Sequence, residues 1–261
     1  MTGLFTLPPV TRLCWHVWHR NLLVFLRTWK VNFFPPFIEA FLYLFAIGLG
    51  IGSYVQQIGG IPYVNFIAPA ILAISVMNSA FFECTYGSYV RMYYQKSFDA
   101  IIATPLSIED VIAGELLWGA TRSTMYVAIM LPALAVFGVI SLPLALFAIP
   151  VAFFGGMLFA GIAMCFTAIT PSIDTLNYPS FLFITPMMLF SGTFFPLSLL
   201  PRIFQYGALA FLPLTHIVAV MRMLTLPDLS WIAALHLLWI GADAFIFCII
   251  SINLMRKRLI V

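Results

Sequence analysis

Charge is scarce in this chain of 261 residues, because Asp, Glu, Lys and Arg together make up only 8% of it. An ordinary soluble domain has about 25%. Hydrophobic residues make up 63%, and the mean hydropathy is +1.06. A soluble core cannot bury that much apolar surface, so the composition predicts an integral membrane protein. The net charge of +3 does not indicate a nucleic-acid partner.

Lysine is also rare, which bears on nucleotide binding. The three lysines are Lys30, Lys96 and Lys257, and none ends a Gly-x-x-x-x-Gly-Lys-Ser/Thr loop. A Walker A site is therefore excluded in this chain. If transport is driven by ATP, the ATPase must be another polypeptide.

Metal-ligating residues are few and scattered. The cysteines are Cys14, Cys84, Cys165 and Cys248. Their wide spacing, with no CxxC, predicts structural thiols rather than disulfides or metal ligands. His16 and His19 form an i, i+3 pair with no third ligand nearby. We expect no metal, cofactor or catalytic residue in this chain.

Long apolar runs predict six transmembrane helices, since each span needs about 20 mostly apolar residues. We place them at 33–52, 65–92, 109–137, 143–169, 177–195 and 229–254. No linker or tail is long enough to fold alone, so residues 1–261 are predicted to form one all-α transmembrane domain. Ala152, Gly156 and Ala160 give the fourth span a small-residue face, which indicates close helix packing.

Basic residues predict the orientation, because cytoplasmic segments are enriched in Lys and Arg. They precede span one, follow span two and end the chain, whereas loop 53–64 has none. An even number of spans puts the three basic segments on one side. We expect an inner-membrane protein with both termini cytoplasmic and without a cleaved signal peptide.

Residues 10–31 project as an amphipathic helix before the first span. Its basic stripe consists of Arg12, His16, His19, Arg20, Arg27 and Lys30. Trp15, Trp18 and Trp29 are of the type that anchors a helix at the membrane surface. We predict an interfacial helix on the cytoplasmic side, the alternative being a helix packed on protein.

Residues 95–108 form a polar island between spans two and three. Apolar residues recur there at i, i+3, i+4 and i+7, and they are Phe98, Ile101, Ile102 and Pro105. This spacing predicts a two-turn amphipathic helix that the proline ends, with Asp99 on another face. Ser107 and Asp110 resemble a capping box at the start of span three. The spacing does not choose between a lipid surface and a partner's groove for the apolar face.

Prolines divide residues 196–228 into pieces of about 12 residues, which are too short to span a membrane. Pro213 and Thr215 have the positions expected at the start of a helix. We predict two short helices that dip into or lie on the outer side before span six.

Several stretches resemble one known family. SGTFFPLSLLP (191–201) and LPLTHIVAVMR (212–222) resemble the signature of type-2 ABC exporter permeases. DAIIATPLSIEDVIAGELLWGATR (99–122) resembles the family's coupling region. FECTYGSYVRM (82–92) and LFSGTFFPLSLLP (189–201) look closest to the NodJ-like branch, whose members belong to lipo-oligosaccharide exporters.

This resemblance implies the permease subunit of an ATP-driven exporter. It implies a permease homodimer in membrane lipid with two cytoplasmic ABC ATPase subunits, which bind ATP and magnesium. It also implies that the helix in 95–108 docks on the ATPase through Phe98, Asp99, Ile101, Ile102 and Pro105. A lipo-oligosaccharide or similar glycan is the implied substrate, and a hydrophobic drug or another lipid is nearly as compatible.

The resembled family lines its transport path with spans one and five. The candidate path residues are Glu39, Phe37, Phe41, Tyr43, Phe181, Phe190 and Phe194. Aromatic residues there could contact substrate, or simply pack and face lipid. Further polar residues within spans are Glu83, Arg122, His236 and Asp243. Such residues are costly in a membrane, and contacts that hold the bundle together are the alternative to a role in transport.

Two other classes stay open. One is an ion-coupled secondary transporter with Glu39, Glu83 and Asp243 as proton carriers, although no paired repeat supports it. The other is an intramembrane enzyme acting on lipid, although no His/Asp/Ser or metal constellation converges on one face.

Overall fold

The computed structural model describes residues 4–55, 57–226 and 230–259. The helices are α1 Cys14–Arg27, α2 Trp29–Phe45, α3 Gly52–Tyr54, α4 Tyr63–Phe82, α5 Ser97–Ile102, α6 Ile108–Val136, α7 Leu142–Ala145, α8 Ala148–Ile169, α9 Asn177–Pro179, α10 Thr185–Phe190, α11 Arg202–Phe211, α12 Pro213–Thr225 and α13 Ile232–Leu259. Strands β1 (Gln57–Ile58) and β2 (Ile61–Pro62) form an antiparallel hairpin in which Gln57 pairs with Pro62.

Wide helical turns interrupt the regular helices. π-Helical segments continue α2 at Ala46–Ile51 and α4 at Glu83–Gly87 and Val90–Tyr94. Another, Ser180–Ile184, joins α9 to α10. Such turns are rare and occur often at functional sites.

Three helical segments are long and apolar enough to cross a membrane, namely Tyr63–Tyr94, Leu142–Ile169 and Ile232–Leu259. They correspond to the predicted spans two, four and six. α11 and α12 meet at 92° and add a fourth only if the bent pair counts as one span. The multi-pass helical class is therefore supported, whereas the predicted set of six is not confirmed.

Local structure explains why the other three predicted spans differ. α2 has 17 residues before its π-helical turn. Predicted span five is helical in pieces of 3, 5 and 6 residues and ends at Phe190. α6 is long enough, with 29 residues, but its first half carries charge.

The centre of the bundle is formed by α4, α6 and α8, which pack closely through small residues. A Cβ added at Gly156 would lie 2.8 Å from the Ser123 Cβ, and one at Gly119 would lie 2.6 Å from the Cys84 sulfur. Ser123 also donates to the Val76 carbonyl at 2.9 Å. The small-residue packing predicted for the fourth span is confirmed, because Gly156 has no space for a side chain.

The N-terminal segment, the 95–108 segment and the end of α13 meet at one end of the molecule, which we call the basic end. Asn253 donates to the Thr6 carbonyl at 2.7 Å, and Arg256 lies 3.1 Å from Glu109. The sequence predicted that these three segments share one side. The β-hairpin, α11 and α12 lie toward the opposite end.

α1 is shorter than the predicted helix over 10–31, because it ends at Arg27 and α2 begins at Trp29. One face of α1 packs on α6. A Cβ added at Gly114 of α6 would lie 2.6 Å from the Val17 Cβ, so this glycine permits the close approach.

The tryptophans of this segment have different environments. The Trp18 indole donates to the Thr121 hydroxyl at 2.8 Å, so this ring is held by protein. Trp15 and Trp29 remain more than half exposed. α1 therefore packs one face on protein, as the alternative expected, and leaves Trp15 exposed. Its contact with the membrane surface stays a prediction.

A capping box starts α6, as predicted. The Ser107 hydroxyl accepts from the Asp110 backbone N–H at 3.2 Å, and the Asp110 carboxylate accepts from the Ser107 backbone at 3.2 Å. Asp110 also accepts from the Thr11 backbone N–H at 2.6 Å. The same carboxylate thus fixes the start of α6 and the approach to α1.

Candidate functional site

A buried carboxylate joins α1, α4 and α6 at the basic end. Glu115 of α6 accepts from Asn21 at 2.9 Å, from Ser88 at 2.8 Å and from the Arg91 Nε at 2.8 Å. Arg20 approaches it to 3.6 Å. Burial lowers the pKa of the Arg20 guanidinium, and the Glu115 charge opposes that shift. The polar stripe of α1 is thus directed partly into the protein.

A second carboxylate, Glu83, links two arginines. It accepts from Arg91 at 2.8 Å, from Arg122 at 2.9 Å and from the Trp118 indole at 3.0 Å. A Cβ at Gly87 would lie 3.1 Å from the Glu83 carboxylate, so this glycine leaves room for the pair. Arg91 connects Glu83 with Glu115, which makes one continuous network.

The wide turns of α4 carry much of this network. Glu83 begins the first π-helical segment, and Arg91 lies in the second. Both turns bring polar groups of α4 to the face that meets α6. Across that contact, the positions of Glu115 and Arg122 are seven residues apart and share one face of α6.

A cavity of about 610 Å³ lies over the network, and we call it the polar groove. It is lined by Arg20, Asn21, Val24, Phe25, Thr28, Asn32, Glu83, Tyr86, Gly87, Val90, Arg91, Gln95, Ser97, Trp118 and Arg122. Gln95 and Ser97 place one end of the groove beside α5, at the basic end. Its volume is in the range of about 300–1,000 Å³ that is typical of ligand sites.

A smaller cavity of about 350 Å³, the inner cavity, lies next to the polar groove. Both are lined by Glu83, Gly87 and Arg122. The inner cavity adds Glu39 of α2 and Tyr126 of α6 to this lining. A polar surface therefore extends from the basic end to Glu39.

On its other side, Glu39 lines a cavity of about 610 Å³ with almost wholly apolar walls, the apolar cavity. Its other lining residues are Val31, Phe34, Pro35, Ile38, Leu42, Tyr43 and Ala46. Glu39 also accepts from the Ser75 hydroxyl at 3.3 Å. Glu39 and Tyr43 both line this cavity, and Glu39 lies where polar and apolar surfaces meet.

The aromatic candidates on span one pack mainly against one another. Phe37 and Phe41 are 4.7 Å apart between ring centroids, and Phe41 meets Phe137 edge-on at 5.1 Å. This arrangement fits the packing alternative. A role in the path stays a prediction for both.

The aromatic candidates on span five have three different environments. Phe181 is 71% exposed, whereas Phe190 stacks on Phe204 at 5.9 Å. The carbonyl of Phe194 accepts from the Tyr63 hydroxyl at 3.1 Å. In the single chain, Phe181 is thus the most available to lipid or to a partner.

His236 makes an interhelical contact of the kind expected as the alternative to a role in transport, with a partner that the sequence did not identify. Its Nδ1 lies 2.7 Å from the Nδ1 of His216 on α12, and the His216 ring stacks on Trp239 at 3.9 Å. His216 also contacts the Leu209 carbonyl through Nε2 at 2.9 Å. Asp243 is half-buried on the same helix as His236. Bundle packing accounts for the contacts of His236.

Not all of the residues predicted to dock on a partner have side chains exposed on the surface. Phe98 is completely buried within this chain, and Ile101 is half-buried in a cavity it shares with Val17. Ile102 is 39% exposed, and Asp99 and Pro105 are exposed. Phe98 therefore anchors α5 on the bundle, because a two-turn helix needs one buried contact to hold its position.

Sequence reasoning missed Glu115 and used Arg91 only for orientation. One usable signal was present, because Glu115 lies seven residues before Arg122 on a single helix, which puts both on one face. Arg91 belongs to the preceding helical segment, so its partner depends on how α4 packs on α6.

The fold and this site define a multi-pass helical membrane protein with a polar groove beside α1, α4 and α6. Residues 12–226 match the model for the ABC-2 type transporter, and the chain belongs to that family. Its members are transport components of the membrane, and the family implies an ABC ATPase partner.

Curated relatives agree with this assignment. Nodulation protein J of Sinorhizobium fredii is 34% identical over 94% of this chain and 93% of its own length. Nodulation protein J of Rhizobium leguminosarum bv. viciae is 32% identical over 98% and 99%. The inner membrane transport permease YadH of Escherichia coli is 25% identical over 72% and 73%. No solved structure matches the chain.

Proposed function

We propose that this chain is the permease subunit of an ATP-driven exporter that moves an amphipathic glycan, such as a lipo-oligosaccharide, across the inner membrane. Membership of the ABC-2 type transporter family supports the permease role. Resemblance to the lipo-oligosaccharide branch supports the class of substrate. The observation that carries the proposal is the meeting of the inner cavity and the apolar cavity at Glu39.

An amphipathic molecule needs both kinds of surface. Its polar part fits the polar groove and inner cavity, while its acyl chain fits the apolar cavity along α2. With the basic end in the cytoplasm, as the positive charge predicts, the groove opens toward the compartment where such molecules are made. A hydrophobic drug is the second candidate substrate, because the apolar cavity alone suits it.

Assembly follows from the same arrangement. We propose a homodimer with two ATPase subunits that supply ATP and magnesium binding. α5 lies at the basic end and offers Asp99 and Ile102 to a partner. Arg20 lines both the polar groove and the cavity beside α5. A displacement of α5 by the ATPase therefore reaches the network around Glu115 through α1.

Native mass spectrometry of the chain co-expressed with its ATPase tests this assembly. We expect a complex of two permeases and two ATPases that hydrolyses ATP, with a co-purified glycolipid detected by lipid mass spectrometry. A stable permease monomer would contradict the proposal, as would transport that collapses with the proton gradient at constant ATP. The latter result would favour an ion-coupled transporter using Glu39.

A further inference from the structure

The guanidinium of Arg122 makes fewer hydrogen bonds than it has donors. Its Nη1 donates to Glu83 at 2.9 Å, and its Nη2 makes a long contact of 3.4 Å with the Tyr126 hydroxyl. Its Nε is buried and has no hydrogen-bond partner among the described residues. A guanidinium has five N–H donors, so much of the donor capacity of Arg122 is unused.

Arg91, in the same groove, shows what a saturated arginine looks like here. It donates to Glu115 from Nε at 2.8 Å, to Glu83 from Nη1 at 2.8 Å and to Ser88 from Nη2 at 3.3 Å. All three of its nitrogens have acceptors. The two arginines share one carboxylate, yet only Arg91 is fully engaged, so the two have different roles.

The unused donors of Arg122 lie on one edge of its guanidinium. Nε–H and one Nη2–H point in parallel, which is the geometry that binds carboxylate or phosphate through two bonds. The rings of Phe25 and Tyr126 lie 5.7 Å from the guanidinium carbon. They provide a weakly polar surrounding but no strong acceptor for Nε.

Charge also favours an anion at this place. Arg20, Arg91 and Arg122 line the polar groove, whereas Glu83 is the one acid among the described residues of its lining. Glu115, which is not part of the groove lining, forms an ion pair with Arg91. The hydrogen-bonded network of three arginines and two glutamates thus keeps one excess positive charge. Glu39, the further acid of the inner cavity, accepts from Ser75 rather than from Arg122. Because a desolvated charge without a counter-charge is costly, an incoming anion is stabilised there.

We infer that the polar groove binds the oxyanion of an amphipathic molecule, a phosphate, sulfate or carboxylate group, through the Nε–Nη2 edge of Arg122. The Nη1 stays on Glu83, and the Tyr126 side chain moves aside, so that the ligand replaces its long contact and reaches the buried Nε. The apolar part of the molecule lies along the apolar cavity, which the inner cavity joins at Glu39. This inference rests on the proposed function and adds to it an acidic substituent on the substrate.

The position of Arg122 suits such a ligand. It is fourteen residues beyond Ile108, which is about 21 Å of helix from the start of α6. It lines both the polar groove and the inner cavity. A head group that enters beside Gln95 and Ser97 therefore meets Arg122 before it reaches Glu39.

Equilibrium dialysis on the full-length permease in nanodiscs of neutral lipid tests this site. The probes are dodecyl phosphate and, as a neutral counterpart, dodecyl glucoside, both below their micellar concentrations, with inorganic phosphate as the head group alone. We expect dodecyl phosphate to bind at least about tenfold more tightly than either of the other two, as a charge-assisted pair predicts.

The variants separate charge from geometry. Arg122→Gln should weaken dodecyl phosphate binding by about ten- to a hundredfold. Arg122→Lys keeps the charge beside Glu83 but loses the paired edge, and should bind with intermediate affinity. Arg27→Gln removes one positive charge from an exposed position of α1 outside the groove, and should bind like the wild type.

Each other outcome overturns the inference. Arg122 is not the ligand if Arg122→Gln binds like the wild type, or if Arg27→Gln loses as much. If dodecyl glucoside binds as tightly as dodecyl phosphate, the site does not require an anion. If inorganic phosphate binds as tightly, the site does not require the apolar part of the ligand. If Arg122→Gln does not fold, Arg122→Lys decides, and wild-type affinity in that variant contradicts the paired edge. The binding assay needs no ATPase, so its result is independent of transport. If the permease exports with ATP but does not prefer dodecyl phosphate in the binding assay, only this inference is rejected. Tight binding without ATP-dependent transport rejects the proposed function instead.

Discussion

The contact of α6 with α1 and α4 and the contact of α8 with α13 are built in opposite ways. The first depends on Glu83, Arg91 and Glu115, whose charges satisfy one another. The second is mostly apolar and very close, because a Cβ added at Gly161 of α8 would lie 3.0 Å from the backbone of Phe247. Its polar contact is at the end of the helices, where Arg258 donates to the Thr167 carbonyl. The apolar contact has no room for a ligand, whereas the polar contact leaves a cavity beside it.

This difference suggests how one chain combines a fixed part with a changeable one. Small residues and apolar contacts fix α8 against α13 at a single distance. Hydrogen-bonded charges can exchange partners, so the α1, α4 and α6 side can respond to a ligand or to movement of α5. Four substitutions sharpen or break this comparison.

The largest effect is expected for Glu115→Ala. Removing this carboxylate leaves Asn21 and the Nε of Arg91 buried without this acceptor, and leaves Glu83 as the one carboxylate that Arg91 and Arg122 share. Breaking a buried ion pair in this way typically costs about 3–5 kcal/mol in the free energy of unfolding. Denaturant unfolding of the purified permease in detergent measures it. Asp99→Asn, at an exposed acid, should change the stability by less than about 0.5 kcal/mol. Equal stability of the two variants would mean that the network does not hold this side of the bundle.

A smaller loss is expected for Gly161→Val in the apolar contact. The added side chain forces α8 away from α13, and overpacking of this kind costs about 1–3 kcal/mol. Gly241→Ala on α13 is the control, because a Cβ there meets nothing within 4 Å. Thermal unfolding should separate the two variants. A neutral Gly161→Val would show that this contact is as adaptable as the polar one.

Partner binding should be affected by Ile102→Asp without loss of the fold. Burying one isoleucine is worth roughly 1.5–3 kcal/mol, so a charge there should weaken ATPase association by about ten- to a hundredfold. Recovery of the ATPase with the permease, at equal membrane abundance, measures it. Asp99→Asn, on another face of α5, should matter less. Undiminished recovery by Ile102→Asp would exclude this face as the docking element.

The smallest effect concerns the joint between α4 and α5. Lys96 has a φ of +53°, a left-handed conformation that costs most residues about 1–2 kcal/mol. Lys96→Gly should therefore raise the stability by about 0.5 kcal/mol, since glycine's greater freedom when unfolded offsets part of the gain. Lys30→Gly within α2 should lower it by about 1 kcal/mol. If Lys96→Gly lowers the stability as Lys30→Gly does, the backbone at Lys96 is not strained.

The sequence predicted features that depend on local pattern. The long apolar helices, the Ser107–Asp110 capping box and the small-residue face at Gly156 were all visible in spacing and composition. The basic residues also predicted which segments share one end. These features need no knowledge of how distant helices meet.

Features that depend on packing were not predictable in the same way. The π-helical turns of α2 and α4 follow no motif that we recognise in the sequence. Periodicity showed that Phe98 and Ile101 share a face, but the direction of that face depends on α5 meeting the bundle. The partner of Arg91 is 24 residues away, so the network around Glu115 required the fold.

Transport into inside-out vesicles that contain the permease and its ATPase tests the central claim most directly. The vesicles are given a glycolipid extract outside, and the lumen is analysed by mass spectrometry with and without ATP. We expect an amphipathic glycan to accumulate only with ATP. Arg122→Gln should reduce that accumulation by about tenfold or more, while Arg27→Gln should not. No ATP-dependent accumulation, or accumulation that Arg122→Gln leaves unchanged, would contradict the account of the polar groove as the transport path.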